Sequence, residues 1–184
     1  MPGLQSTIMN SRIAGMGAQL NLPLHHYRDV EPYEMPEQAR SLLVHERDMT
    51  GTLASFYDSP ISLRTLSIHR DDHHLYRRVL LETRDGATVE FGAIRIYLDR
   101  FEGEALQAVL SCSTPLGQIL TDNAFDFRCD LQGFFRLRSD VELENLFGLE
   151  ETGTLYGRAN HLETRDGRPI ADVIEILPPG GEES

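Results

Sequence analysis

The sequence has little cysteine, and its two thiols do not form a recognisable metal-binding pattern. Cys112 and Cys129 stand alone, without a CxxC pair or a Cys/His spacing typical of zinc sites. A disulfide framework is therefore not expected, and we interpret both residues as free core thiols in a reducing compartment. No bound metal is predicted.

Long apolar runs are missing as well. No stretch approaches the roughly 20 apolar residues that a membrane span needs. Residues 1–17 also lack the charged-then-apolar order of a secretory signal. These two absences predict a cytoplasmic protein without a membrane span.

Positive charge is scarce, and no basic patch or flexible linker is present. The net charge of −12 would repel a nucleic-acid backbone, so no nucleic-acid partner is predicted. No Pro/Gly/Ser-rich stretch divides the 184 residues, which favours one domain. The positive charge is mainly arginine in strand-like segments, where small acids could find partners. These arginines are Arg77, Arg78, Arg95, Arg128, Arg136, Arg138 and Arg158.

Hairpin strands alternate with short helical segments in the middle and last parts of the chain. Strands are predicted at 61–69, 74–84, 87–98, 125–137, 154–163 and 169–177, and helices at 36–47, 50–57, 103–113, 114–120 and 139–148. Asp-Gly turns join two of the strand pairs, which predicts antiparallel neighbours and a single α+β domain. We predict a loosely structured N-terminal arm over 1–35, the domain over 36–178 and a frayed tail over 179–184.

Arg77 lies among apolar residues of a predicted strand. Because side chains alternate between faces, Leu75, Arg77, Val79 and Leu81 share one face. A guanidinium is costly to bury unless a carboxylate or phosphate pairs with it. Arg77 is therefore a candidate anion ligand. The alternatives are that it reaches the sheet edge or pairs with an internal acid.

Five short motifs of the sequence, taken in order, resemble those of the chorismate pyruvate-lyase family. They are Leu42 to His45 with Asp48-Met49-Thr50, Tyr76 to Leu81, Thr114 to Gly117, Tyr156-Gly157-Arg158 and Glu175 to Pro178. The resemblance covers roughly residues 36–178. It implies an antiparallel sheet of about six strands flanked by short helices, with a ligand enclosed under helical flaps. It also implies the conversion of chorismate to 4-hydroxybenzoate and pyruvate without a cofactor.

The resemblance assigns roles to four residues. It places the ring-carboxylate arginine on Arg77, backbone contacts on Met49 and Leu116, and the acid of the last strand on Glu175. Chorismate carries two carboxylates, which call for an arginine clamp and backbone N–H donors. A carboxyl in an apolar pocket could then transfer the proton, so Arg77 and Glu175 are the candidate catalytic residues.

Two features of the last hairpin stay open. Glu175 faces the site if the strand register is counted from Pro179, whereas a one-residue slip would turn it outward. Arg158 is a candidate substrate-binding residue, as a second anion ligand, or it pairs with an acid across the hairpin.

Other polar clusters are interpreted more simply. Consecutive residues such as His69 to His74 seldom converge on one metal ion, so we interpret them as a solvated turn. His45 is predicted to pack or cap a helix rather than act as a base. Gly15 and Gly17 do not follow a strand, which argues against a dinucleotide cofactor.

Three functions fit these observations. The first is a chorismate lyase that makes 4-hydroxybenzoate for ubiquinone or another pathway. The second is a non-catalytic binding module for small aromatic acids, like the effector domains of some bacterial regulators. The arm over 1–35 is too short and insufficiently basic for the DNA-binding domain that precedes those effector domains. The third is a related lyase that yields another hydroxybenzoate isomer. The oligomeric state is not predicted.

Overall fold

The computed structural model describes residues 13–22, 24 and 26–180. The start of the predicted arm, 1–12, and the end of the predicted tail, 181–184, lie outside the described residues. The helices are α1 (13–19), α2 (Glu37–Leu43), α3 (Met49–Tyr57), α4 (Gly103–Ser111), α5 (Leu116–Asp122) and α6 (Val141–Phe147). The strands are β1 (Arg28–Val30), β2 (Ser62–Arg70), β3 (His74–Glu82), β4 (Thr88–Tyr97), β5 (Phe127–Arg138), β6 (Thr154–Thr164) and β7 (Pro169–Leu177).

The strands described here form one antiparallel sheet of seven, in the order β1-β5-β6-β7-β4-β3-β2. The predicted α+β fold with an antiparallel sheet and short flanking helices is confirmed. Six of the strands are those that the sequence pattern indicates. The seventh is the three-residue β1, which pairs with β5 at one edge.

Local sequence signals explain several element boundaries. Asp48 and Asp140 cap α3 and α6, because each carboxylate accepts a hydrogen bond from the backbone N–H three residues later, at 2.7 and 2.9 Å. The β3–β4 and β6–β7 hairpins turn at the two Asp-Gly pairs. Gly86 and Gly167 adopt φ values of 85° and 82° there, which glycine tolerates without strain.

The sheet has two covered faces. The back face packs against α1 and α6 through a cluster that includes Leu80, Phe91 and Ile174. The front face carries two separate apolar clusters, one under α2 and α3 and the other under α4 and α5. The front face between these two clusters holds the polar residues that the sequence singled out.

The described part of the arm is more regular than its sequence suggests. Ile13 and Met16 of α1 are buried in the back-face cluster, together with Leu20 and Leu22 just beyond the helix. Their spacing is helical, but the prolines nearby obscure it. The domain boundaries at residues 36 and 178 stay a prediction. No helix within the described ranges is long and apolar enough to cross a lipid bilayer.

Candidate functional site

A cavity of about 120 Å³ lies on the front face between the two apolar clusters. Its floor is formed by residues of β2 to β7, and its roof by the segments that begin α3 and α5. The structure brings together all the site residues that the sequence predicts, since each of them lines the cavity. These residues are Met49, Arg77, Leu116, Arg158 and Glu175.

The roof consists of two helix starts that meet over the cavity. Met49 and Leu116 are the first residues of α3 and α5, and both are buried. The Asp48 carboxylate, which caps α3, lies so close to Gly117 of α5 that a Cβ there would collide with it. A glycine at position 117 therefore lets the two helix starts close over the cavity.

Arg77 is a buried cation without a carboxylate partner among the described residues. Its exposed fraction is 3%, and its two terminal nitrogens both donate to the Thr114 carbonyl at 3.1 Å. Its Nε has no partner. Burial lowers the pKa of Arg77, and the neighbouring Cys112 only partly opposes this effect. The side chain thus neither reaches the sheet edge nor pairs with an internal acid.

Arg158 is buried too, but its charge is balanced. It faces Glu175 across β6 and β7, and its Nε donates to the Glu175 carboxylate. Its terminal Nη1 donates to the carbonyls of Leu43 at 3.0 Å and His45 at 2.8 Å. Asn160 donates a second hydrogen bond to Glu175 at 3.1 Å. Burial lowers the pKa of Arg158, but the charge and the hydrogen bond of Glu175, with a smaller contribution from Glu90, together outweigh it and the pKa is raised.

Glu175 points into the cavity, as the register counted from Pro179 requires. Two internal donors, Arg158 and Asn160, already donate to its Oε2. The pairing of Arg158 with Glu175 matches the alternative in which this arginine pairs across the hairpin. The role of both residues in ligand binding stays a prediction.

Among the described residues, the histidines belong to no cluster that could hold a metal ion. His45 Nε2 lies 2.8 Å from the Leu42 carbonyl, at the end of α2. Burial and then the charge of Arg158 lower the pKa of His45, which favours its neutral form. In the part of the chain that the structure describes, no group of three or more His, Cys, Asp or Glu residues could hold a metal ion.

The sequence reasoning missed one buried acid of the cavity. Glu90 of β4 is only 4% exposed, and its Oε2 has no hydrogen-bond partner. Burial raises the pKa of Glu90 well above its ordinary value, and Glu175 adds to the increase against the effect of Arg158. The alternation that places Ile94 on the front face also places Glu90 there. The face argument used for Arg77 would therefore have found it.

Gly92, next to Glu90 on the same face, leaves the cavity floor open. A Cβ at this position would lie 3.1 Å from Val79 Cγ2 and 3.5 Å from Glu90 Oε1. Glycine weakens a strand interior, so its presence there indicates close approach of another group.

No protein-family model matches the chain, and no curated protein matches it significantly. Solved structures do share its fold. The effector domain of PhnF from Mycobacterium smegmatis gives a TM-score of 0.60 at 12% identity, over 74% of this chain and 91% of that one. A longer PhnF structure gives a TM-score of 0.59 at 12% identity. The match covers 74% of this chain but only 65% of that longer chain.

A third structure is the ligand-binding domain of a candidate GntR-family transcriptional regulator from Bordetella bronchiseptica. It gives a TM-score of 0.51 at 16% identity, over 64% of this chain and 85% of that one. The chain therefore has the chorismate lyase-like fold, in the form found in effector domains of regulators.

The prediction of a carbon–oxygen lyase is wrong. The similar structures include an effector domain and the ligand-binding domain of a transcriptional regulator rather than lyases. The motifs that resemble the lyase family build the sheet and its enclosed cavity, and a binding protein needs both as much as an enzyme does. Glu175, the candidate for proton transfer, is held in an internal ion pair. Lyase activity and the ubiquinone pathway are therefore withdrawn.

Proposed function

We propose that this chain is a non-catalytic module that binds a small aromatic acid in the front-face cavity, with chorismate and 4-hydroxybenzoate as candidate ligands. The observation that carries this proposal is the state of Arg77. A buried guanidinium without a counter-ion is unfavourable, and an incoming carboxylate would remove that cost. The Thr114 carbonyl leaves Nε unpartnered, so Arg77 can still donate to an anion through its Nε edge.

The remaining lining suits a small ring. Apolar side chains from the floor strands surround the space next to Arg77, and Gly92 leaves room above β4. Such a lining with a few placed polar groups is typical of small-molecule sites. We propose that the backbones of Met49 and Leu116 contact the ligand from the roof. The ion pair of Arg158 and Glu175 then forms a fixed polar wall.

An effector role agrees with this chemistry. The similar structures include an effector domain and a ligand-binding domain of regulators. We propose that ligand binding to this module controls a partner rather than a reaction. The net charge of −12 argues that nucleic acid is not contacted by the module itself.

The decisive experiment compares two adjacent arginines by calorimetry with 4-hydroxybenzoate and chorismate. Arg77→Ala should weaken binding by about 2–4 kcal/mol, because a buried charge pair is lost. Arg78→Ala is the matched control: Arg78 lies on the back face, pairs with Glu142 at 2.9 Å and stacks over Phe91. The affinity of the Arg78→Ala variant for each ligand should stay within about threefold of that of the unaltered chain. Equal losses in the two variants would refute the proposal.

A second measurement distinguishes a binder from an enzyme. Pyruvate release from chorismate should not exceed the uncatalysed rate, even at saturating protein. Release that depends on Glu175 would contradict the binding module.

A further inference from the structure

The cavity has a second polar end opposite Arg77. Across β3 and β4, Arg77 pairs with Ile94, Val79 with Gly92 and Leu81 with Glu90. Arg77 and Glu90 therefore lie on opposite sides of Gly92 on the front face. The backbone distance from Ile94 to Glu90 is about 13 Å along the strand. An elongated ligand above Gly92 would meet Arg77 at one end and Glu90 at the other.

The surroundings of Glu90 do not supply a counter-ion of its own. On β7, Glu175 pairs with Gly92, which places it diagonally from Glu90 at about 7–8 Å. Arg158 is the nearby cation, and its Nε already donates to Glu175. An ionised carboxylate with a buried, unpartnered oxygen is strongly unfavourable.

The electrostatic surroundings of Glu90 lead to the same conclusion. Burial first, and the charge of Glu175 second, raise the pKa of Glu90 well above its ordinary range. Two neighbouring carboxyls that share one arginine cannot both ionise cheaply. Glu90 therefore carries the proton, and its carboxyl can donate one hydrogen bond into the cavity.

We propose that Glu90 is the second recognition group of the cavity. Its protonated carboxyl donates a hydrogen bond to a neutral oxygen at the far end of a ligand whose carboxylate binds Arg77. This inference rests on the proposed function and narrows it to monocarboxylates with a hydroxyl, carbonyl or ether oxygen opposite the acid. A second carboxylate at that end would place another buried negative charge beside the Glu175 carboxylate, so 4-hydroxybenzoate is favoured over chorismate.

The test uses four probes that share one carboxylate and differ at the opposite end. They are 4-hydroxybenzoate, benzoate, terephthalate and 4-(aminomethyl)benzoate. The unaltered chain should bind 4-hydroxybenzoate about 3- to 10-fold more tightly than benzoate, which is the range for one net hydrogen bond. Terephthalate should bind weakest of the four. Tighter binding of terephthalate or of the cationic amine than of 4-hydroxybenzoate would overturn the proposal.

Two variants then test whether Glu90 supplies the hydrogen bond, while the cationic amine probe separates a neutral Glu90 from an ionised one. Glu90→Gln keeps a neutral hydrogen-bond donor, so the preference for the hydroxyl should persist. Glu90→Leu removes the donor, so the preference should vanish while the affinity for benzoate is retained. Glu104→Gln, on the exposed start of α4, is the control and should change nothing.

The outcomes also distinguish this inference from the proposed function. Arg77→Ala should weaken all carboxylate probes alike, whereas Glu90 variants should change only the discrimination between them. Suppose that benzoate binding depends on Arg77 but that Glu90→Gln abolishes the preference for 4-hydroxybenzoate over benzoate. Glu90 then acts as an anion, and this inference fails while the proposed function stands. If Glu90→Leu does not fold, the Gln variant still decides by this criterion. If no probe binds the unaltered chain, both proposals fail.

Discussion

The two buried arginines of the cavity differ in what balances their charge. Arg158 has a carboxylate across the hairpin and two backbone carbonyls. Arg77 has one backbone carbonyl and an unpartnered Nε. A protein that needed only a stable sheet could place a leucine at position 77 at no such cost. The unbalanced charge therefore favours a binding role for Arg77 and a structural one for Arg158.

Glu90 should make folding stability depend on pH. The pKa of Glu90 is raised in the folded state. Its contribution to stability is therefore fully present at pH values below the ordinary pKa of glutamate, and it is lost as the pH rises towards the folded pKa. Between these two values the loss is about 1.4 kcal/mol per pH unit. Glu90→Gln removes this loss, so urea unfolding should find it increasingly more stable than the unaltered chain from about pH 5 to about pH 8. Parallel stability curves would mean that Glu90 is ionised in the folded state.

The sequence predicts some residues of the cavity and not others, and the difference has a physical reason. Alternation places Arg77 on the apolar face, and the family resemblance points to Glu175. Alternation also places Glu90 on that face, but acids are usually exposed. Its burial, and the lack of a partner for its Oε2 among the described residues, are visible only in the structure. The internal partner of Arg158 depends on strand register, which the Pro178-Pro179 ambiguity left open.

At the scale of elements, Asp48 contacts both helices that form the roof of the cavity. It caps α3 and also lies against the first turn of α5 at Gly117. The roof is therefore joined at a side chain that also determines where α3 begins.

We expect Asp48→Ala to lower the free energy of unfolding by about 1 kcal/mol, the usual value for a lost cap. It should also speed release of 4-hydroxybenzoate, because the two roof segments lose their contact. Asp140→Ala is the matched control, since Asp140 caps α6 on the back face. It should cost similar stability without a change in release rate. Stopped-flow displacement and urea unfolding would measure both effects, and equal release rates in the two variants would contradict this account of the roof.

The elements that turn signals mark are the ones that the sequence predicts well. Asp-Gly pairs indicate two of the hairpins from local chemistry alone. Capping acids indicate the starts of α3 and α6, and prolines indicate those of α2 and α5. The short β1 and helix α1 were missed because tertiary contacts stabilise them. Ile13 is fully buried only once the back face of the sheet exists to receive it.

At the scale of the whole molecule, the charge of −12 opposes the arrival of an anionic ligand. Salt screens this repulsion over about 10 Å at 0.1 M, whereas the buried contact with Arg77 is screened much less. The association rate of 4-hydroxybenzoate should therefore rise from about 20 mM to about 200 mM salt, with a smaller change in dissociation rate. Uncharged 4-hydroxybenzamide should show no such rise. A fall in the association rate with salt would indicate a local attractive field at the entrance.

The separation of the two front-face clusters has a mechanical consequence. The α2–α3 pair and the α4–α5 pair each rest on their own part of the sheet, and the cavity lies between them. We expect a molecule bound there to fix the spacing of the two helix pairs, because it would contact both of them. Because each helix would move as a unit, a change in this spacing would also change the outer surface of the protein. If the cavity binds a ligand as proposed, we expect its occupancy to change the arrangement of these helices at the protein surface, where a partner could contact them.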